Sequence, residues 1–250
     1  MKKILLVFCV LFLLSSCSSD STGNNSNPLI KEVRATTNSS PLVFKYFYNG
    51  NKITSIQTGD HLENRYVYQG DLIVSLFIYN YGELDVEAHY EYDTQDRLIK
   101  ETATEFQEGS SDLRTYTYNN DNTITRHCYS GLTASSSNLY LTSKIYLDTT
   151  GKFFNVEDLI ASNWVSTLQV TYTDINSPLK NILGFDKIIL LSDVNKSFDT
   201  YIDNYETGSV NHSSVFEYTV NASNYPTQRT QTLTNSDGST YVSTYEFIYY

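Results

Sequence analysis

Cysteine is scarce in this chain, with three in 250 residues, and two of them, Cys9 and Cys17, fall within the first seventeen. That leaves Cys128 alone in the body, so an intrachain disulfide framework is excluded there. Methionine occurs once, as Met1, and tryptophan once, as Trp164. A core must therefore come from Tyr, Phe, Leu, Ile and Val. Bases are outnumbered, 17 against 28 acids, for a net charge of −11. Such a surface repels phosphate backbones and argues against a nucleic-acid partner. The longest apolar run, Ile4 to Leu14, has eleven residues, short of the roughly 20 that span a bilayer as a helix. There is no glycine-rich phosphate loop, no Cys-x-x-Cys and no His-x-x-x-His, so neither a cofactor nor a metal site is expected.

What is present begins with a targeting segment. Lys2 and Lys3 precede the apolar run, and "LSSC" closes it at Cys17. The charged start and apolar run form a signal sequence, and "LSSC" resembles the bacterial lipobox, whose cysteine is acylated and becomes the new N-terminus. The alternative is an ordinary secretory signal cut near Ser16. Ser18 to Asn27, "SSDSTGNNSN", is polar throughout and reads as a tether. The expected organisation is a signal peptide over 1–16, lipidated Cys17 and its tether over 17–28, and one folded domain over 29–250.

That domain is rich in tyrosine, holding all 22 of the chain's tyrosines against ten of its 12 phenylalanines, and the tyrosines recur in pairs two residues apart. The second members Tyr48, Tyr68, Tyr92 and Tyr118, followed by the single Tyr146 and Tyr172, stand 20, 24, 26, 28 and 26 residues apart, and Tyr218 and "YEFIYY" continue the series. Turn signals follow most of them: "NGN", "QGD", "DTQD", "NNDN" and "DTTGK". Asn, Asp and Gly tolerate the positive φ of tight hairpin turns. The clearest strand is Glu83 to Tyr92, where Leu84, Val86, Ala88, Tyr90 and Tyr92 alternate with Glu83, Asp85, Glu87, His89 and Glu91. Strands at Leu72–Tyr79 and Arg97–Phe106 flank it. The pattern predicts an all-β antiparallel meander of hairpin repeats, its sheet curling into a barrel-like or a two-layer arrangement.

Helix is expected in only two places. Asn155 to Trp164 offers an Asn cap and acids in the first turn, and Asn176 to Gly184 offers a Ser cap, Pro and a closing Gly. The run "DKIILLSDV" reads as a strand, and the region from about 150 to 212 as irregular.

"YEYDTQDRLIK" resembles the tyrosine-aspartate repeats of Rhs-type proteins, with pattern Y-x-Y-D-x-x-G-R-L, Asp96 standing in the Gly place. The chain over roughly 42 to 250 is similar to short secreted lipoproteins of Bacteroidota that carry degenerate copies of such repeats. The resemblance implies no catalytic residues.

Several arrangements invite chemistry. His127 and Cys128 adjoin, but neighbours on a strand point to opposite faces. Ser177-Pro-Leu-Lys180 has the Ser-x-x-Lys spacing of penicillin-recognising enzymes without their other elements, and reads as a helix cap. The acidic row from Glu83 to Asp93 is flat where calcium needs converging oxygens, and reads as a wet strand face. Tyr46, Tyr48, Tyr116 and Tyr118 are candidates for stacking a ligand, against their reading as packing rows, and Trp164 is a candidate platform for sugar.

The sequence thus predicts an outer-membrane lipoprotein, held by the lipid on Cys17 at the periplasmic face or the cell surface. It predicts a structural or binding module rather than an enzyme, with a glycan or an envelope protein as partner. The alternatives are a glycan-binding accessory protein and a hydrolase acting on an envelope or dietary polymer.

Overall fold

The computed structural model describes residues 27–36, 41–131, 138–160, 163–188, 195–205 and 212–250. The signal segment, Cys17 and the tether to residue 26 lie outside them.

The strands are β1 (Ile30–Thr36), β2 (Leu42–Asn49), β3 (Lys52–Thr58), β4 (Leu62–Gln69), β5 (Leu72–Asn80), β6 (Glu83–Tyr92), β7 (Leu98–Glu105) and β8 (Ser110–Tyr118). They continue as β9 (Thr123–Gly131), β10 (Leu139–Leu147), β11 (Phe153–Ile160), β12 (Asn163–Asn176), β13 (Lys196–Tyr205), β14 (His212–Val220), β15 (Pro226–Thr234) and β16 (Thr240–Tyr249). Each pairs antiparallel with the next, and β1 pairs with β16, closing a sixteen-strand barrel. Across the closure Val33 faces Phe247 on the inside, while Arg34 meets Glu246 at 3.2 Å on the outside. Closure removes the exposed edges an open meander would leave.

Alternation assigns two faces. Inward positions supply Ile30, Ile53, Ile73, Leu98, Ile124, Ile145, Phe153 and Val156, all nearly or fully buried. They form two apolar clusters, one around β1–β5 and β16, the other around β7–β13, with Tyr90 packing against both.

Apart from Tyr146, which turns outward to donate to Glu157 beside Lys144 while Ile145 and Leu147 take the inward places, the repeated tyrosines face inward at one end, beside the turns that follow them. Opposite the second tyrosine the register slips by one, as between Tyr92 and Leu98 or Tyr172 and Phe198. A bulge of this kind leaves backbone groups out of the ladder. Tyrosine hydroxyls fill the vacancy on the preceding strand. Tyr48 donates to Ile30 O at 2.8 Å, Tyr92 to Ile73 O at 2.5 Å and Tyr172 to Phe153 O at 3.1 Å. Tyr218 donates to Phe198 O at 2.7 Å and Tyr249 to Pro226 O at 2.9 Å.

The turns share one construction. Asp93 Oδ1 accepts from the backbone N–H of Gln95 and Arg97, and Asp148 Oδ1 from those of Thr150 and Lys152. The fourth turn residue lies in the left-handed region: Asp96 at φ 57°, Asn122 at 59°, Gly151 at 84° and Asn224 at 60°. The Arg97 side chain, ahead of the backbone donors, holds the Asp93 carboxyl below the usual carboxylate range.

The connection from β12 to β13 departs from this plan. Ser177 accepts the Leu179 N–H, and consecutive turns lead into a one-turn helix, α1 (Phe185–Ile188). This segment plugs the tyrosine end. Ile182 and Phe185 join the first cluster, Leu183 N donates to Asn51 O at 3.0 Å, and Tyr68 OH donates to Leu183 O at 2.9 Å. Asn181 Nδ2 donates to Pro28 O and to Tyr225 OH.

Four expectations need correction. Residues 155–160 are strand β11 and residues 163–164 open β12, so no helix forms at Asn155 to Trp164. The second helix starts after Gly184 rather than ending there, because Phe185 is drawn into the core. Within 186–194, residues 186–188 are helical and 189–194 lie outside the described residues. The region from 150 to 212 keeps the strand rhythm through β11, β12 and β13.

Candidate functional site

Away from the plug, the inward face changes character. Glu101 on β7, Arg114 on β8 and Cys128 on β9 stand side by side in register, and Tyr116, Arg126, Ser143, Asp158 and Ser166 form the adjoining inward row across β8 to β12. Asp112 extends the patch towards the far end. Arg114 Nη1 pairs with Glu101 Oε1 at 2.8 Å and its Nη2 lies 3.5 Å from Asp112 Oδ2. Tyr116 OH donates to Glu101 Oε2 at 3.1 Å. Arg126 donates through Nε and Nη2 to Ser143 Oγ at 3.1 and 2.7 Å, and Ser143 donates to Asp158 Oδ1 at 2.5 Å.

Inward-pointing charges in a sheet are costly unless paired and wet. Here they are both. Solvent reaches Arg114 and Asp112 at 34% and 31% exposure and Asp158 at 27%. Burial works against the Arg114 charge, and the Glu101 carboxylate more than offsets it, raising the guanidinium pKa. Burial, followed by the Glu101 carboxylate, pushes the Tyr116 phenol up. Burial also raises the Cys128 thiol, against the opposing pull of Arg126 and Arg114, so the thiol is held protonated rather than primed as a nucleophile.

One outer-wall contact has the members of a hydrolytic triad. Ser75 Oγ lies 3.0 Å from His89 Nδ1, and His89 Nε2 lies 2.8 Å from Glu87 Oε1. The three come from β5 and β6, where Ser75 faces His89 in register. Acyl transfer also needs donors aimed at a developing oxyanion. Both strands engage their neighbours through ladder hydrogen bonds, and Ser75 is itself buried. The arrangement is a cross-strand polar chain, not a nucleophile in a cleft.

The residues singled out from sequence are distributed differently. Tyr46 and Tyr48 pack against the first apolar cluster, with Tyr48 spending its hydroxyl on Ile30. Tyr116 and Tyr118 belong to the second, and the Arg97 guanidinium sits 4.4 Å from the Tyr118 ring centre. Trp164 falls near the start of β12, and its side chain lies outside the described residues. His127 faces out and Cys128 in. Lys180 bonds Asn176 and Ser177 caps its own turn. In the acidic row, Glu87 takes His89, Glu91 takes Lys100 at 2.7 Å and Asp93 takes its turn. The charged patch on β7 to β12 was not anticipated. Counting back by twos from Tyr118 and Tyr116 reaches Arg114 and Asp112, a phase signal already contained in the tyrosine pairs.

No family model matches the chain, and no curated protein matches it. Solved structures do. A porin-like protein from Bacteroides vulgatus ATCC 8482 is similar at 16% identity and TM-score 0.57, over 89% of this chain and 99% of that one. A porin-like protein from Bacteroides uniformis ATCC 8492 is similar at 12% identity and TM-score 0.59, over 88% and 96%. A third structure, TcdB2-TccC3-Cdc42, overlaps 80% of this chain and 12% of that one at 14% identity, with a TM-score of 0.34. The likeness is one of fold.

The outer wall of this chain is not built to face lipid. A membrane barrel carries an outward apolar band about 25 Å tall. Here the outward positions include Lys45, Glu63, Arg65, Glu87, Glu91, Lys100, Lys144, Glu157 and Glu217, interspersed with threonines. Charge on the lipid face costs about 2–4 kcal/mol for each Arg or Lys near the bilayer midplane. No helix among the described residues is long and apolar enough to cross a membrane.

Proposed function

We propose that this protein is an envelope lipoprotein of the Bacteroidota kind, acylated at Cys17, whose barrel serves as a non-enzymatic binding module at the outer membrane. The observation that carries this reading is the division of the barrel. A charged, threonine-rich outside belongs in water, a plugged end is dry, and the interior beyond it turns paired charges towards solvent. The Asp96 position supports kinship with tyrosine-aspartate repeats, because its φ of 57° is the conformation that the repeat's glycine would supply.

The anchor gives the barrel a direction. Pro28 O accepts from Asn181 of the plug, and Leu29 with Asn27, Asn51 and Gly184 lines a cavity of about 430 Å³. The chain therefore leaves towards Cys17 from the plugged end. Ten tether residues reach at most about 35 Å, so the plugged end stays within that distance of the membrane. The hydrolase alternative has only the Ser75–His89–Glu87 chain in its favour, and that chain lacks a cleft and oxyanion donors.

The test is metabolic labelling with a clickable palmitate, followed by fractionation. The wild type should label and sediment with membranes, and Cys17→Ala should do neither. A Cys17→Ala protein that stayed with the membranes would end the lipoprotein reading.

A further inference from the structure

Resting on the binding-module reading above, we infer that the inward charged patch on β7 to β12 is a ligand site for a neutral, polyhydroxylated chain such as the end of an uncharged oligosaccharide. The patch has both kinds of hydrogen-bonding capacity to spare. A guanidinium carries five N–H donors. Arg114 directs only Nη1 at short range, to Glu101, and its contact with Asp112 is long at 3.5 Å. The Asp112 carboxylate is therefore largely uncommitted as an acceptor, and 31% exposed. Each hydroxyl of a sugar both donates and accepts, which suits a mixed surface better than a surface of one sign.

Charge selects in the same direction. Glu101, Asp112 and Asp158 against Arg114 and Arg126 leave the patch slightly acidic, inside a chain of net −11. An anionic ligand is repelled, and a cationic one must displace arginines already paired at short range. A platform completes the site. Tyr140 is 43% exposed and stands at the register shift just before Leu141, which pairs with Cys128 of the patch. An aromatic face with one polar edge takes the apolar face of a pyranose. The patch runs across six strands, about 24 Å at ordinary strand spacing, room for several sugar units in a row.

The experiment uses the full-length protein in detergent and isothermal titration with neutral hexasaccharides of gluco, xylo, manno and galacto configuration, beside hexagalacturonate as the anionic comparison. At least one neutral series should bind saturably, and hexagalacturonate should not. Asp112→Asn and Tyr140→Ala, both half-exposed positions with little structural burden, should each weaken binding by about tenfold or more. Glu217→Gln on the outer wall should leave it unchanged. The inference is overturned if no neutral hexasaccharide binds, if the anionic one binds best, or if both patch variants bind as the wild type does. Cys17→Ala fractionation reads the anchor separately, so failure here leaves the lipoprotein reading standing on its own test.

Discussion

The Tyr92 hydroxyl donates to the backbone carbonyl of Ile73 at 2.5 Å, nineteen residues upstream. The same link joins Tyr48 to Ile30, Tyr172 to Phe153, Tyr218 to Phe198 and Tyr249 to Pro226. In each case the acceptor lies within the first three residues of a strand, and the donor comes from the second tyrosine of the next pair or its equivalent. The pair thus divides its work. Both rings fill the inward face, and the second ring's hydroxyl satisfies a carbonyl that the bulge has taken out of the ladder. Phenylalanine would pack as well and leave that carbonyl unpaired, which explains why the repeat keeps tyrosine.

Replacing Tyr92 by Phe should therefore cost more than a surface hydroxyl would. An orphaned buried acceptor costs about 1–3 kcal/mol, which for a domain of this size lowers Tm by roughly 2–4 °C per kcal/mol. Tyr81→Phe, at a ring 80% exposed, should be nearly silent. Equal melting temperatures for Tyr92→Phe and wild type would remove the hydrogen bond from the account.

The turn after Tyr92 makes a prediction of opposite sign. Asp96 sits at φ 57° with an exposed side chain, a conformation costing a non-glycine residue about 1–2 kcal/mol. Asp96→Gly should hold or raise the urea midpoint, and Asp96→Val should lower it by about 1–2 kcal/mol in stability. If glycine proved as damaging as valine, the side chain and not the backbone would be what the position selects.

These two results concern what was legible in the sequence. The strand Glu83–Tyr92 has the boundaries its alternation predicts, and the tyrosine spacing gives hairpins in series. The sequence points to a barrel-like or a two-layer sheet but does not choose between them, because β1 and β16 meet through residues such as Arg34 and Glu246, 212 apart, and no local pattern records that pairing. Asn155 to Trp164 misled for a different reason. Asp158 points inward in register with Ser143 and Ser166, so the apolar alternation that marks a strand is broken by a charge on the wrong face, and what remains imitates a capped helix. The charged patch was overlooked on the same ground, since Glu101 and Arg126 look like wet-face residues until the tyrosine pairs fix the phase.

Alkaline titration should separate the packed tyrosines from the rest. Burial, the leading cause in each, pushes Tyr66, Tyr68, Tyr118 and Tyr218 up to about 12, against about 10 when unfolded. A folded-state pKa raised above the unfolded one gives stability that is complete below pH 10 and lost as pH climbs through 12. Urea midpoints should accordingly fall between pH 10 and 12, less steeply in Tyr218→Phe. Complete ionisation near pH 10, read at 295 nm with a native circular dichroism spectrum, would contradict the burial of these rings.

Gly184 and Asp71 give the sharpest test of the plug. A Cβ on Gly184 would stand 2.9 Å from the Asp71 carbonyl oxygen, and the backbone there has φ +79°. Neither condition admits a side chain: the contact is closer than carbon and oxygen tolerate, the opposing atom is backbone, and the dihedral is a glycine one. The barrel wall is held by ladders that do not pass through this segment, so Gly184→Ala should loosen the plug before it unfolds the barrel. Hydrogen exchange should accelerate at Ile182 to Phe185, above all at the Leu183 N–H that donates to Asn51 O, with the β8–β9 amides unchanged. The tyrosine end would then admit water, and Tyr68, which donates to Leu183 O, would ionise at lower pH than in the wild type. Uniform acceleration across all strands would mean that the plug is part of one cooperative unit with the wall, and unchanged exchange at Ile182 to Phe185 would mean that the close approach to Asp71 does not hold it in place.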